Sequence, residues 1–158
     1  MFPSPSKPNT SLLSLLPTEP PTPSLAIGTT TSLPPTPSTF TENPQFLAIL
    51  QSVLHVYATH DPELKSQASA FASPGGFNLG RSSGEGAGGA SQQSGMGGAN
   101  RGGWVHVGDT RNLPDWGRIA WPEDIFGSVE VDGNGNFVGE GGNYQASGTY
   151  RIVTREGV

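Results

Sequence analysis

Apolar positions along this chain follow a helical period in one region and a strand period in another. From Pro44 onward, Phe46, Ile49, Leu50, Val53, Leu54 and Tyr57 recur at three- and four-residue steps, the spacing of one helix face. Asn43 is a capping residue type, and Pro44 suits the first helical position, where its missing N–H costs nothing. Asp61-Pro62 repeats that signal, so the pattern predicts a break and a second helix. Leu64, Ala68 and Phe71 would share its apolar face, with Lys65, Ser66 and Gln67 on the polar side. Such an amphipathic pair could cover a sheet or dock in a partner's groove.

After Trp104 the period falls to two. Trp104-Val105-His106-Val107 predicts a short strand. Trp121 to Gly127 predicts one helical turn, with Pro122 first, Glu123 and Asp124 near its positive end and Gly127 at its close. Ser128 to Val131 alternates as a strand, and Asp132-Gly133-Asn134-Gly135 supplies the residues of a hairpin turn. Asn136 to Val138 would return, Gly139 to Gly142 loop, and Gly148 to Thr154 form a third strand carrying Tyr150 and Ile152. The class expected is α+β: a small antiparallel β-meander with an amphipathic helical segment, flanked by disordered low-complexity regions. Three strands of this length are marginal alone, so the helices and a tryptophan cluster are the expected cover. All three tryptophans (Trp104, Trp116 and Trp121) fall in this block.

Composition separates the remainder. Residues 1–43 hold 7 Ser, 9 Thr and 10 Pro, with Lys7, Glu19 and Glu42 as the charges. Proline lacks the N–H for ladders and little apolar surface is present to offset ordering entropy, so disorder with polyproline-II bias is expected. Pro20-Pro21-Thr22-Pro23-Ser24 returns as Pro34-Pro35-Thr36-Pro37-Ser38. Each copy places a threonine before one proline and two residues after another, which makes Thr22 and Thr36 candidate phosphorylation sites for proline-directed kinases. Residues 74–103 carry 12 glycines and read as a flexible linker. The division expected is therefore a 1–43 arm, a 44–73 helical segment, a 74–103 linker and a 104–158 Trp-rich β module.

Charge and missing residue types narrow the chemistry. The net charge of −5 argues against generic binding to nucleic-acid backbones or anionic membranes, and no run reaches transmembrane length. There is no cysteine, hence no disulfide or thiolate chemistry, which points to the cytoplasm or nucleus. Asp132 to Asn136 imitates the opening of a calcium loop, but Phe137 and Asn143 stand where glycine and the bidentate glutamate are needed. His55 and His60 lie about 140° apart around a helix and do not suit a shared metal. No catalytic, metal or cofactor residue is assigned, because no nucleophile–base–orienter set can be named.

The run Pro114-Asp115-Trp116-Gly117-Arg118-Ile119-Ala120-Trp121-Pro122-Glu123-Asp124-Ile125-Phe126-Gly127-Ser128-Val129-Glu130-Val131, followed by Tyr144 and Gly148-Thr149-Tyr150-Arg151, resembles a group of small uncharacterised proteins of filamentous fungi. The likeness extends to the helix around Val53 to Gln67 and covers about half the chain. It implies no activity and no site residues. Members of that group continue past the last strand with a further apolar segment, which leaves open a truncation after Gly157-Val158.

The reading favoured is a non-catalytic interaction or adaptor protein. Its contact face would comprise Trp116, Arg118, Trp121, Glu123 and Asp124, with Trp116 as the exposed anchor and Trp104 and Trp121 more simply explained as core. The arm would be tuned through Thr22 and Thr36. Two alternatives stand beside it: a small enzyme or ligand-binding domain using Glu123, Asp124 and His106, and an RNA-associated granule protein using the glycine tract with its single Arg101-Gly102-Gly103. The protein partner and the oligomeric state are left unassigned.

Overall fold

Asn43 and Asp61 do cap the two helices. The computed structural model describes residues 2–3, 8–72, 102–112, 114 and 118–154. Helix α1 spans Pro44–Tyr57, a 3-10 turn follows at Ala58–His60, and helix α2 spans Pro62–Ala72. The Asn43 side-chain oxygen accepts the N–H of Gln45 at 3.0 Å, and that of Asp61 accepts the N–H of Glu63 at 2.8 Å. Each bond satisfies an amide that the first helical turn leaves without a partner.

The chain is α+β, with two antiparallel sheets beside these helices. Contacts divide it into two compact units, Met1–Ser52 with Arg151–Val158, and Val53–Tyr150. In the first unit, β1 (Phe2–Pro3), β2 (Ser11–Leu13), β3 (Gly28–Thr30) and β4 (Phe40–Glu42) form one sheet in that order. The arm expected to be disordered thus carries four short strands among its described residues. The unit's buried apolar side chains are Leu12, Ala26, Ile27, Ile152 and Val153, and polar bonds tie the segments around them. The Asn43 amide donates to the carbonyls of Pro23 at 2.9 Å and Ala26 at 2.7 Å, while its N–H reaches Ile27 at 2.9 Å. One side chain thereby both caps α1 and ties the segment before β3. The Ile152 N–H donates to the Glu42 carboxylate at 2.8 Å within the same unit. Gly28 cannot carry a side chain, since a Cβ there would collide with the Phe40 ring and the Thr41 carbonyl.

In the second unit β5 (Gly103–Gly108), β6 (Ile125–Val131) and β7 (Gln145–Ala146) pair antiparallel in that order. Strand alternation turns Val105, Val107, Val129 and Val131 to one face, where they pack with Ala58, Leu64 and Ala68 from the helical segment. Leu54, Phe137 and Tyr144 border this cluster. Leu64 and Ala68 of the predicted α2 face are thus buried.

Several boundaries move. Gly127 was expected to close a helical turn; the turn is only Pro122–Asp124, and Gly127 lies inside β6. Its missing side chain leaves room for the Tyr144 ring, whose hydroxyl donates to the Phe126 carbonyl at 3.0 Å. The return after Asp132–Gly135 is a single bridge between Val131 and Phe137 rather than a strand over 136–138. The third strand is Gln145–Ala146, paired with Ser128 and Gly127, and not Gly148–Thr154. Tyr150 and Ile152 are nonetheless buried, at 6% and 3% exposure.

On α1 the apolar residues exceed one face. Phe46, Leu50 and Leu54 are half-buried, whereas Ile49, Val53 and Tyr57 of the expected stripe are 42%, 47% and 61% exposed. The expected linker lies almost wholly outside the described residues, and the C-terminal tetrapeptide and Trp116 do so entirely.

Candidate interaction loop

The connection from β5 to β6 leaves the sheet at Asp109 and rejoins it at Asp124, and its two ends are tied together. The Asp109 N–H donates to the Asp124 carbonyl at 2.7 Å. Asn112 Nδ2 donates to Asp124 Oδ2 at 3.0 Å. Asp109 Oδ1 accepts the N–H of Arg111 at 3.0 Å, a turn that aspartate forms readily with the amide two residues on. Arg111 then folds back on the same carboxylate, with Nε 2.9 Å from Oδ2 and Nη2 2.6 Å from it. The Tyr150 hydroxyl donates to Oδ2 and accepts from Arg111 Nη2, both at 3.2 Å. The Tyr150 ring in turn packs on Phe126, centroids 4.5 Å apart.

Burial by itself would raise the pKa of Asp109. The hydrogen bonds and positive charge of Arg111, with the Tyr150 hydroxyl, outweigh it and hold the carboxyl below its ordinary range. Asp124 goes the other way: burial raises it, the nearby charges of Glu123 and Asp109 add, and the Asn112 bond only partly opposes. Burial and the Asp109 charge push the Tyr150 hydroxyl far above its usual value. Two carboxylates on one loop base are therefore held in opposite electrostatic settings.

Beyond this clamp, several of the described loop residues are open to solvent. Ile119 is 64% exposed, Trp121 is 69% exposed, and Arg118 is exposed beside them. Trp121 is thus surface rather than core, while Trp104 is half-buried on β5. Glu123 is half-buried, and Asp124, expected on the same acidic face, is 3% exposed and engaged with Asn112. That removes Asp124 from the surface: its role at this position is to anchor the loop. Trp116 lies outside the described residues. Ile119, Asp109, Arg111, Asn112 and Tyr150 were missed by sequence reasoning. The string Asp109-Thr110-Arg111-Asn112 carries a turn signal that could have marked the clamp, but nothing local announces Tyr150 as its closing partner.

His106 belongs to another arrangement. It faces Ser128 across the β5–β6 pair, with Nδ1 2.8 Å from Oγ, and burial lowers its pKa. Hydrogen bonds link His106 to Ser128 and Asp124 to Asn112, and none among the described residues joins His106 to Glu123 or Asp124. The trio considered for catalysis is not a bonded set. At the hairpin, Asp132 Oδ1 accepts the amides of Asn134 and Asn136, each at 2.8 Å, so the turn uses the carboxylate that resembled a calcium ligand.

Among the described residues no three His, Asp or Glu side chains are placed to hold a metal ion, and no helix is long and apolar enough to cross a membrane. No protein-family model matches the chain, and neither a curated protein nor a solved structure does so.

Proposed function

We propose that this protein is a non-catalytic interaction module whose contact surface is the loop bearing Arg118, Ile119 and Trp121. The observation that carries this reading is the pairing of two large exposed apolar side chains with a clamped loop base. Burying such a side chain against a partner is worth about 1.5–3 kcal/mol, and tryptophan and arginine are frequent interface anchors. A tied base lowers the entropy lost when the loop is captured. The Ser/Thr/Pro-rich arm is its regulated part, acting through Thr22 and Thr36, both exposed. The absence of cysteine supports a cytoplasmic or nuclear setting.

The test is co-purification of the tagged full chain from its native cells beside Trp121→Ala, with Leu15→Ala as an exposed control elsewhere (Leu15 is 74% exposed). A partner lost with the tryptophan and kept with the control supports the loop. A partner set that Trp121→Ala leaves unchanged removes it.

A further inference from the structure

The two Pro-Pro-Thr-Pro-Ser copies share a sequence but not a setting. Thr22 is exposed with an extended backbone (φ −80°, ψ 113°), and its side chain makes no capping bond to the turn at Pro23–Leu25. Thr36 closes the loop between β3 and β4 through a cluster of hydroxyls. Its Oγ1 lies 2.9 Å from Thr39 Oγ1 and 3.1 Å from Ser38 Oγ. Its N–H donates to Thr39 Oγ1 at 3.0 Å, and its carbonyl accepts the amides of Thr39 at 3.0 Å and Phe40 at 2.9 Å. Thr39 Oγ1 also accepts from Ser32 Oγ at 3.0 Å, and the Thr31 N–H donates to the Thr39 carbonyl at 3.1 Å.

We propose that Thr36 is a guarded phosphoacceptor whose modification opens the loop between β3 and β4, whereas Thr22 accepts phosphate without disturbing the sheet. This rests on reading the arm as phosphoregulated. The step is phosphoryl transfer from a nucleoside triphosphate by a proline-directed kinase. A bond forms from Thr36 Oγ1 to the γ-phosphorus as its bond to the bridging oxygen breaks. The nucleoside diphosphate leaves and the hydroxyl proton passes to the kinase's base.

Two consequences follow from the geometry. To be read as an extended segment, residues 36–39 must first give up the turn bonds that hold them, so the folded loop slows modification. Once phosphorylated, Oγ1 has no proton to donate to Thr39 or Ser38, and the group carries close to two negative charges. No Lys or Arg occurs between residues 8 and 43 to receive them locally. A dianionic phosphate on Oγ1 is too bulky to sit within the 2.9 Å and 3.1 Å contacts to Thr39 and Ser38, so the cluster opens and the β3–β4 hairpin loses its closure. At Thr22 there is no such bond to lose.

The experiment incubates the full chain with a proline-directed serine/threonine kinase and ATP. It follows each site by mass spectrometry and the amides of residues 28–42 by hydrogen exchange. Peptides spanning 16–28 and 30–42 measure intrinsic preference. With two or more hydrogen bonds to open, Thr36 is expected to react about ten-fold more slowly than Thr22 in the folded chain, relative to the peptides. Thr39→Val, which removes the shared hydroxyl, should bring the two sites to within about two-fold. Exchange in residues 28–42 should rise after Thr36 is modified, and within Thr36→Ala it should not change further when Thr22 is modified. Equal relative rates in the folded chain, or unaltered exchange after Thr36 modification, overturn the guard while leaving the acceptor reading intact. No modification of Thr36 in either chain or peptide overturns both.

Discussion

Arg111 holds the carboxylate of Asp109 through both Nε and Nη2, the shorter contact 2.6 Å, while the Asp109 side chain is only 6% exposed. The pair is asymmetric, because the Arg111 side chain is 43% exposed. Water screens the guanidinium, but the carboxylate depends on it. Removing the cation leaves a buried charge with Tyr150 and a backbone amide as partners, which is where the loss concentrates.

Arg111→Ala is therefore expected to lower stability by about 1–3 kcal/mol, less than for a fully buried pair because of that exposure. Arg111→Lys should recover only part of this, since a single ammonium cannot reproduce the two-pronged contact. Urea midpoints of the three proteins check the order. Equal midpoints for wild type and Arg111→Ala would show that the loop base does not depend on the pair.

Gly127→Ala tests the crossing of β6 by Tyr144. A Cβ at that position would meet the Tyr144 hydroxyl at 2.5 Å and its Cζ at 2.6 Å, as well as the Gln145 carbonyl. Neither neighbour is free to move far: Gln145 is paired in β7, and the Tyr144 hydroxyl is bonded to Phe126. The expected cost is about 1–3 kcal/mol, accompanied by faster amide exchange at Gln145 and Ala146. An unchanged midpoint would mean that β7 is not held against β6 by this packing.

A pH prediction follows from His106. Burial depresses its pKa from 6.5, so above that value both folded and unfolded chains carry a neutral ring. As pH falls below 6.5 the unfolded chain takes up the proton first, and stability declines until the folded pKa is reached. His106→Gln lacks this step, so its stability relative to wild type should rise as pH drops below 6.5. Asp109, depressed from 3.8, contributes stability that is present above that value and is lost as pH falls through its folded pKa. Asp124 has the opposite sign, its burden relieved as pH falls through its raised pKa. Both carboxylates are common to the two proteins and cancel in the comparison. Parallel denaturation curves at pH 7 and 5 decide it; a constant difference would assign no protonation coupling to His106.

What could be read ahead of the structure was whatever the sequence announces locally. Asn43-Pro44 and Asp61-Pro62 carry their own capping chemistry, and the Leu64–Ala68 face and the Val105/Val107 alternation carry their own period. The sheet of the first unit carries neither. Its strands are two or three residues long, and one of them, Gly28-Thr29-Thr30, has no apolar side chain at all. Beyond a few buried apolar side chains, order there comes from hydroxyls and from the single amide of Asn43, reaching back 17 and 20 residues to Ala26 and Pro23. Such bonds leave no periodic trace. The same reasoning explains the loop. Trp121 reads as core by residue type, yet Ile125 takes the buried position and Asp124, an acid expected on the surface, turns inward to Asn112. Long-range partners such as Tyr150 for Asp109 become visible only once the chain is folded.

The exposure of Trp121 separates its effect on stability from its effect on binding. At 69% exposed it contributes little packing, so Trp121→Ala should shift stability by no more than about 0.5 kcal/mol. Ile125, four residues on and 6% exposed, should cost about 2–5 kcal/mol when cut to alanine. Measuring urea midpoints of both variants beside their co-purified partners puts the two effects on one sample. A normal midpoint with a lost partner places the tryptophan at the contact. A midpoint lowered as far as that of Ile125→Ala would show instead that Trp121 supports the fold, and any lost partner would then report damage to the module rather than the face it presents.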